Sequence, residues 1–424
     1  MIVFEAKLRG ADDQYRRLDE AIRTGRFIRN SCLKYWMENR GISRNDLSKY
    51  CKVLADNPEF PWAKKLNSMA RQAMAERAWS GIARFYDNCA KKTPGKKGYP
   101  KFKKFTTNAT VEYKTSGWKL SEDRREITFT DGFEAGKFKL WGTRDLHFYQ
   151  ISQIKRIRVV RRADGYYVQF CIDGERRENH SFQNKMLGLD VGLSHFYTDS
   201  EGIQVENPRF LRRGEKALKR AQRRVSRKLR KSTKGQKVQQ SQNYKKSRNR
   251  LGRKHLKIQR QRKDFAVKLA RCVIQSSDLV AIEDLKVRNM VKNHHLAKSI
   301  SDAAWSLFRE WLEYFSKVFG VPVIAVAPHY TSQNCSQCGK TVKKALSTRT
   351  HKCPHCGHVQ DRDWNAAINI LQKALQFLAT NTVGHTEFKD CGENDRGVVA
   401  ETKPSKLARR SSKSKGRPLE SPSL

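Results

Sequence analysis

The sequence predicts an α/β fold for its second half, preceded by an antiparallel β structure that carries a helical insertion. Three observations predict it. The apolar period of the first part runs from two to helical spacing and back to two. Short apolar strands then alternate with helical patterns. Two Cys-x2-Cys pairs interrupt that second series.

In the first part, Ile2, Phe4, Ala6 and Leu8 alternate with Val3, Glu5 and Lys7, the pattern of a half-buried strand. Helical spacing follows at Tyr15, Leu18 and Ile22, at Ile28, Cys32 and Trp36, and from Ala70 through Met74, Ala78, Ile82 and Phe85. This places a helical insertion at about 11–95. From Gly98 the period returns to two, with Phe138 and Leu140 alternating with Lys137 and Lys139. Ile157 and Val159 lead through an Ala163-Asp164-Gly165 turn into Tyr166, Val168, Phe170 and Ile172, a hairpin signature. Residues 1–180 thus read as a small antiparallel barrel interrupted by helices.

Residues 181–330 change character. Met186–Val191, Leu279–Ile282 and Val321–Val326 read as strands. Helical patterns separate them at Leu218, Ala221, Val225 and Leu229, at Leu251, Ile258, Phe265, Leu269 and Val273, and at Trp305, Phe308, Leu312 and Phe315. The longest apolar stretch, Val318–Pro328, reads as one buried strand and is too short to span a bilayer. The cysteine segment occupies 331–360, a last helix (Trp364–Leu378) falls within 361–380, and 381–424 reads as a basic, disordered tail.

The 424 residues carry 87 Lys and Arg against 42 Asp and Glu, a formal net charge of +45. Such an excess points to a polyanionic partner, because Lys and Arg gain affinity by releasing counterions from phosphates. A membrane surface is the competing polyanion, but no apolar run reaches spanning length and Met1–Gly10 carries no leader pattern. The expectation is a soluble cytoplasmic protein, associated with the nucleoid. Arg212–Lys263 holds roughly two dozen Lys and Arg and almost no acid, so the helices within 210–275 are expected to track phosphates. Arg223, Arg224, Arg227 and Lys228 are the candidate contacts there.

Cys335-x2-Cys338 and Cys353-x2-Cys356 form the pattern C-x2-C-x14-C-x2-C, each pair followed by a glycine, Gly339 or Gly357. Four thiolates close a tetrahedral site, so this is the signature of one structural Zn²⁺ with no open position for water. His351, His355 and His358 lie nearby and read as polar surface residues. The other six cysteines are scattered singly.

Asp190 ends the strand Met186–Asp190, between the small residues Gly188 and Gly192, which suggests room for a ligand to approach the backbone. Glu283 ends Leu279–Glu283 in the same way, and Asp363 opens the last helix. Carboxylates at strand ends with a third at a helix N-terminus suit a hard divalent cation such as Mg²⁺. On pattern alone, Asp361 or Asp363 is equally readable as a helix cap, and Asp284 as a surface charge.

Several motifs resolve this choice. Gly188-Leu189-Asp190-Val191-Gly192, Ile282-Glu283-Asp284-Leu285, Thr331-Ser332-Gln333-Asn334-Cys335, the paired cysteines and Asp361-Arg362-Asp363-Trp364-Asn365-Ala366-Ala367-Ile368-Asn369 stand in the order found in TnpB proteins. Ser299-Ile300-Ser301-Asp302 with Trp305, and Gly98-Tyr99-Pro100-Lys101-Phe102, match as well. The chain resembles this transposon-encoded family, related to compact type V CRISPR effectors, over residues 1 to about 395. The resemblance implies an RNase H-like (RuvC) nuclease domain with an inserted zinc ribbon, after an N-terminal wedge barrel with a helical recognition insertion. It implies that Asp190, Glu283 and Asp363 are catalytic and hold two Mg²⁺ (or Mn²⁺) ions, while the four cysteines hold zinc. It casts Asp361 as a capping or supporting residue, Asn365 as an orienter of Asp363, and Gln72 as the reader of a short motif beside the target. The implied activity is RNA-guided cleavage of double-stranded DNA, with a guide RNA from the transposon end and one protein per guide. Two rivals are a nuclease-inactive RNA-guided repressor and a transposase accessory protein. The chain departs from the family at Tyr314-Phe315-Ser316-Lys317 and in its opening residues.

Overall fold

The computed structural model describes residues 1–92, 95–104, 109–142, 145–230, 238–345 and 348–382. Met1–Gln376 form one compact unit; of the second, Phe377–Leu424, only the end of a helix is described. The expected tail beyond it lies outside the described residues.

Strand β1 (Ile2–Arg9) leads into helices α1 (Asp12–Glu38), α2 (Arg44–Asp56) and α3 (Ser68–Ala90). Six strands follow: β2 (Thr110–Tyr113), β3 (Trp118–Leu120), β4 (Glu126–Phe129), β5 (Gly136–Trp141), β6 (Ile154–Arg162) and β7 (Gly165–Ile172). They join β1 in a seven-stranded antiparallel sheet of order β2-β6-β7-β1-β5-β4-β3. The expected hairpin is β6 and β7, paired from Arg162 with Gly165 back to Ile154 with Ile172. Residues 95–104, expected to alternate, hold no strand; the ladder resumes at Thr110.

The period-two and helical stripes meet in one core. Leu18, Ile22 and Ile28 of α1 and Ala70, Met74 and Ile82 of α3 pack with Val111, Phe138 and Phe170 of the sheet. Glu112, buried on β2, is held by Arg156 at 2.8 Å and Arg158 at 3.0 Å on β6. Paired in this way, the buried carboxylate avoids the cost of an isolated charge. Cys32 and Cys51, distant in sequence, both direct their thiols to the Leu47 carbonyl oxygen, at 3.9 and 3.4 Å.

The second part holds β8 (Met186–Val191), β9 (His195–Asp199), β10 (Gln204–Glu206), α4 (Phe210–Lys228), α5 (Gln242–Gln275), β11 (Leu279–Glu283), α6 (Val287–Met290), α7 (His294–Ala303), α8 (Trp305–Phe319) and β12 (Val323–Val326). The short pair β13 (Thr350–Lys352) and β14 (Val359–Asp361) precedes α9 (Arg362–Thr382). The five-stranded sheet has order β10-β9-β8-β11-β12, antiparallel from β10 to β8 and parallel from β8 to β12.

Its two faces are covered differently. Leu187, Leu189, Val280 and Ile282 join Ala270 and Val273 of α5 and Phe308, Leu312 and Phe315 of α8 in one core. Burying each such large side chain stabilises by about 1.5–3 kcal/mol. On the opposite face Ala281 and Val326 meet Ile370 and Ala374 of α9. A Cβ on Gly188 would sit 2.2 Å from the Ala367 carbonyl oxygen and 2.9 Å from Leu371. Gly188 therefore admits a helix rather than a ligand, and Gly192 belongs to a turn whose nearest neighbour is the His195 carbonyl, 3.1 Å from a Cβ there.

Val318–Pro328 is not one strand. Val318 and Phe319 finish α8, Gly320 ends it at φ 74°, and β12 covers only Val323–Val326. The helix continues because Val318 and Phe319 extend its apolar stripe into the α5 core. Leu229 likewise lies just beyond α4 and is exposed. The N-terminus of α4 is tied down by Asp302, whose carboxylate accepts from the Leu211 and Arg212 amides at 2.8 and 3.1 Å and from Arg262 of α5 at 2.9 Å. Among the described residues, no helix is long and apolar enough to cross a membrane.

Candidate functional site

The parallel register of β8 and β11 pairs Leu189 with Ile282. The next residues are Asp190 and Glu283, side by side at the strand ends and, by alternation, on the face carrying Gly188 and Ala281. That is the face crossed by α9, whose first turn carries Asp363. The structure thus brings the three sequence-predicted carboxylates to one sheet end.

Their electrostatics agree with this placement. The Asp190 carboxyl lies well above the usual carboxylate range, first because protein surrounds it and then because Glu283 and Asp363 add negative charge beside it; Arg362 acts in the opposite direction. Burial also raises Glu283, opposed by a hydrogen bond from Thr331 Oγ1 at 2.6 Å and by the nearby Lys373. Arg349 Nη1 stands 3.6 Å from Asp363 Oδ2. A hard oxygen donor set in which Glu283 and Asp363 penalise the charge on Asp190 is one that a divalent cation would relieve.

Asp361 Oδ1 accepts from the Asp363 and Trp364 amides, at 2.9 and 3.1 Å, and so caps α9. Asn365 does not orient Asp363. Two residues along a helix turn through about 200°, which points Asn365 the other way. Fully buried, it donates to the Asn334 carbonyl at 2.8 Å and accepts from the Ser336 amide at 2.9 Å. Asn369, one turn on, donates to the carbonyls of Thr331 and Asn334, both at 2.8 Å, and Gln372 to that of Ser336 at 3.1 Å. One polar stripe of α9 therefore grips the backbone around Cys335. Sequence reasoning missed Thr331 and Asn369; the signal available was the i, i+4 repeat of asparagine on a helix that also carries Asp363.

The Sγ atoms of Cys335, Cys338, Cys353 and Cys356 all lie within 4.8 Å of one another. The pairs cross between knuckles, Cys335 with Cys356 at 3.7 Å and Cys338 with Cys353 at 3.6 Å. In each knuckle the glycine sits at φ 73° and its amide donates to the carbonyl of the first cysteine. This cluster could hold a metal ion, and thiolate chemistry suits zinc. His351 is no surface residue: it is fully buried on β13, bonded at Nδ1 to Lys344 and facing His358 with ring centroids 6.3 Å apart. His358 is half-buried and pairs with Gln360 at 3.0 Å, whereas His355 is exposed as expected.

Arg224, Arg227 and Lys228 line a groove of about 610 Å³ between α4 and α5, together with Arg220, Arg250 and Lys254. Arg223 is exposed on α4 but does not line it. Gln72 is half-buried on α3, one turn before Glu76, which pairs with Arg44 and Lys114 at 2.8 Å each.

An α/β sheet with carboxylates at its strand ends and a four-cysteine ribbon against its last helix defines a class of proteins with two places that could hold metal ions. The comparisons narrow it. Residues 169–294 match the OrfB_IS605 family, described as a probable transposase, and residues 305–370 match the Cas12f1-like TNB domain. A candidate RNA-guided DNA endonuclease of Streptomyces pristinaespiralis is 28% identical over 384 residues, covering 89% of this chain and 90% of its own. Another, InsQ of Escherichia coli, is 28% identical over 398 residues, covering 89% and 93%. A Cas12f1–sgRNA–target DNA complex aligns with a TM-score of 0.51 at 14% identity, over 84% of this chain and 82% of that one, a likeness of fold. The chain is thus similar to the OrfB_IS605 family in its middle part and to candidate RNA-guided DNA endonucleases over most of its length.

Proposed function

We propose that this chain is an RNA-guided DNA endonuclease encoded by a transposon, cleaving target DNA beside a short adjacent motif in one RuvC-type site. The observation that carries the proposal is the meeting of Asp190, Glu283 and Asp363 at one sheet end, where Glu283 and Asp363 both raise the cost of charging Asp190. The mixed sheet order, with two parallel strands added beyond β8, supports an RNase H-like core. The relatives' descriptions as RNA-guided DNA endonucleases support the substrate.

In this reading residues 1–180 are a wedge barrel with the recognition insertion at about 11–95, and 181–330 with 361–380 are the nuclease core around the ribbon at 331–360. Asp190, Glu283 and Asp363 hold two Mg²⁺ or Mn²⁺ ions, and the cysteines hold one Zn²⁺. Bound Mg²⁺ supplies an activated water and charge neutralisation at the departing oxygen. The protein's own part is to hold three carboxylates in fixed directions on two strands and a capped helix. Guide RNA from the transposon end and target duplex supply the phosphate that a net charge of +45 requires. The α4–α5 groove takes part of that backbone, Arg223 adds to it from the exposed side of α4, and Gln72 reads the adjacent motif. One protein acts per guide, in the cytoplasm.

The test is to sequence RNA that co-purifies with the protein, then to challenge the complex with a matched target library. Cleavage that depends on guide, adjacent motif and Mg²⁺, and is lost in Asp190→Ala, is expected. Protein free of RNA after native expression would count against the guided reading.

A further inference from the structure

We infer that Thr331 is a positioning residue for the Glu283 carboxylate, and that Asn369 of the last helix holds it in place. The inference rests on the nuclease reading above. Thr331 is 3% exposed, and its Oγ1 donates to Glu283 Oε1 at 2.6 Å, the length of a charge-assisted O–H···O⁻ bond. The backbone behind that hydroxyl is held from two sides. Its carbonyl accepts from Asn369 Nδ2 at 2.8 Å, and the same amide group bonds the Asn334 carbonyl, three residues on. Tyr330, immediately before it, adopts φ 64°, and its carbonyl accepts from the Gln333 and Asn334 amides at 3.1 and 2.9 Å, which closes a tight turn around Thr331.

Glu283 has one more side-chain torsion than an aspartate and ends its strand half in the open, so alone it would sample several directions. With Oε1 engaged by a fixed hydroxyl, the direction of the carboxylate is set and Oε2 is left without that bond. The ribbon therefore reaches the carboxylate site by two routes: through α9 to Asp363, and through the Thr331 turn to Glu283. Hydrogen bonds to ligating carboxylates orient them and so tune metal affinity.

The test compares Thr331→Val, which removes the hydroxyl at nearly constant volume, with Thr331→Ser, which keeps it. The full-length protein is titrated with Mn²⁺ and free ion is read by electron paramagnetic resonance; zinc content is measured on the same samples. Thr331→Val is expected to weaken Mn²⁺ binding roughly 10- to 100-fold with zinc retained. It should raise the Mg²⁺ concentration for half-maximal cleavage more than it lowers the maximal rate, and Thr331→Ser should recover both. Parent-like Mn²⁺ binding in Thr331→Val overturns the inference. So does equal loss in the Val and Ser variants, which would follow packing rather than the hydroxyl. Asp190→Ala in the same titration separates the two readings: if it too binds Mn²⁺ like the parent, the carboxylate site itself falls.

Discussion

A Cβ on Gly188 would fall 2.2 Å from the carbonyl oxygen of Ala367, so α9 lies directly on the strand that carries Asp190. The obstructing atom belongs to helix backbone and cannot rotate away. Gly188→Ala is therefore expected to push α9, and with it Asp363, off the sheet. Overpacking of this kind costs on the order of 1–3 kcal/mol, against the gain of up to about 1 kcal/mol that Gly to Ala brings inside a strand. Denaturant unfolding should show a net loss, and cleavage should fall with it. A stabilised Gly188→Ala would mean that α9 does not pack this closely.

Asp190 yields a prediction with a definite sign. Its folded-state carboxyl sits above the ordinary value of 3.8, so the folded protein binds that proton more tightly than the unfolded chain does. Without added divalent cation, this group's contribution to stability is greatest in acid and declines as pH rises from the unfolded value through the raised folded one. Asp190→Asn removes the decline and should raise the thermal midpoint at neutral pH while abolishing cleavage. Added Mg²⁺ should stabilise the parent, by about 2.7 kcal/mol at a hundredfold excess over its Kd, and leave Asp190→Asn unmoved. Calorimetry with and without Mg²⁺ checks both signs, and equal Mg²⁺ stabilisation of the variant would remove Asp190 from the site.

The ribbon should be coupled to the nuclease centre although its metal does no chemistry. Cys353→Ser removes one of four sulfurs that lie within 4.8 Å of one another, and most of the zinc should be lost. The buried Asn365 and Asn369 would then lose the carbonyls they bond, at about 1–3 kcal/mol for each group left unsatisfied. Cleavage should drop at least tenfold, with RNA binding retained. Elemental analysis together with a cleavage assay decides it: full zinc occupancy in Cys353→Ser would end the four-sulfur assignment.

What the sequence made legible, and what it did not, follows from the physics of each signal. Alternation in Ile2–Leu8 and the turn at Ala163–Gly165 are local properties, and both produced the expected strands. The cysteine spacing carries its own geometry, since two residues between thiols suffice to bring them to one point. Gly188 was misread because a missing Cβ reports only that something comes close, and which element does so depends on how the sheet is covered. Asn365 was misread because neighbours in sequence diverge on a helix, so its partner lay in the ribbon rather than at Asp363. Val318–Pro328 was misread because a short apolar run fits a buried helix end as well as a strand. His351 is buried by pairing between β13 and β14 and by Lys344, contacts that no local pattern announces.

The basic groove gives the last prediction. On α4 only Leu218, Ala221 and Val225 are buried, so Arg224, Arg227 and Lys228 take no part in the core. Replacing these three by glutamine should leave the thermal midpoint close to the parent's, because exposed cations contribute little to folding. Guide RNA affinity should fall at low salt, where released counterions contribute most. If all three touch phosphates, the slope of log affinity against log salt should shrink by about 2–3, at roughly 0.7–0.9 per contact. Filter binding of the co-purified RNA at several salt concentrations measures that slope. An unchanged slope would place the RNA elsewhere, and α4 would then be a solvated face whose charge serves another partner.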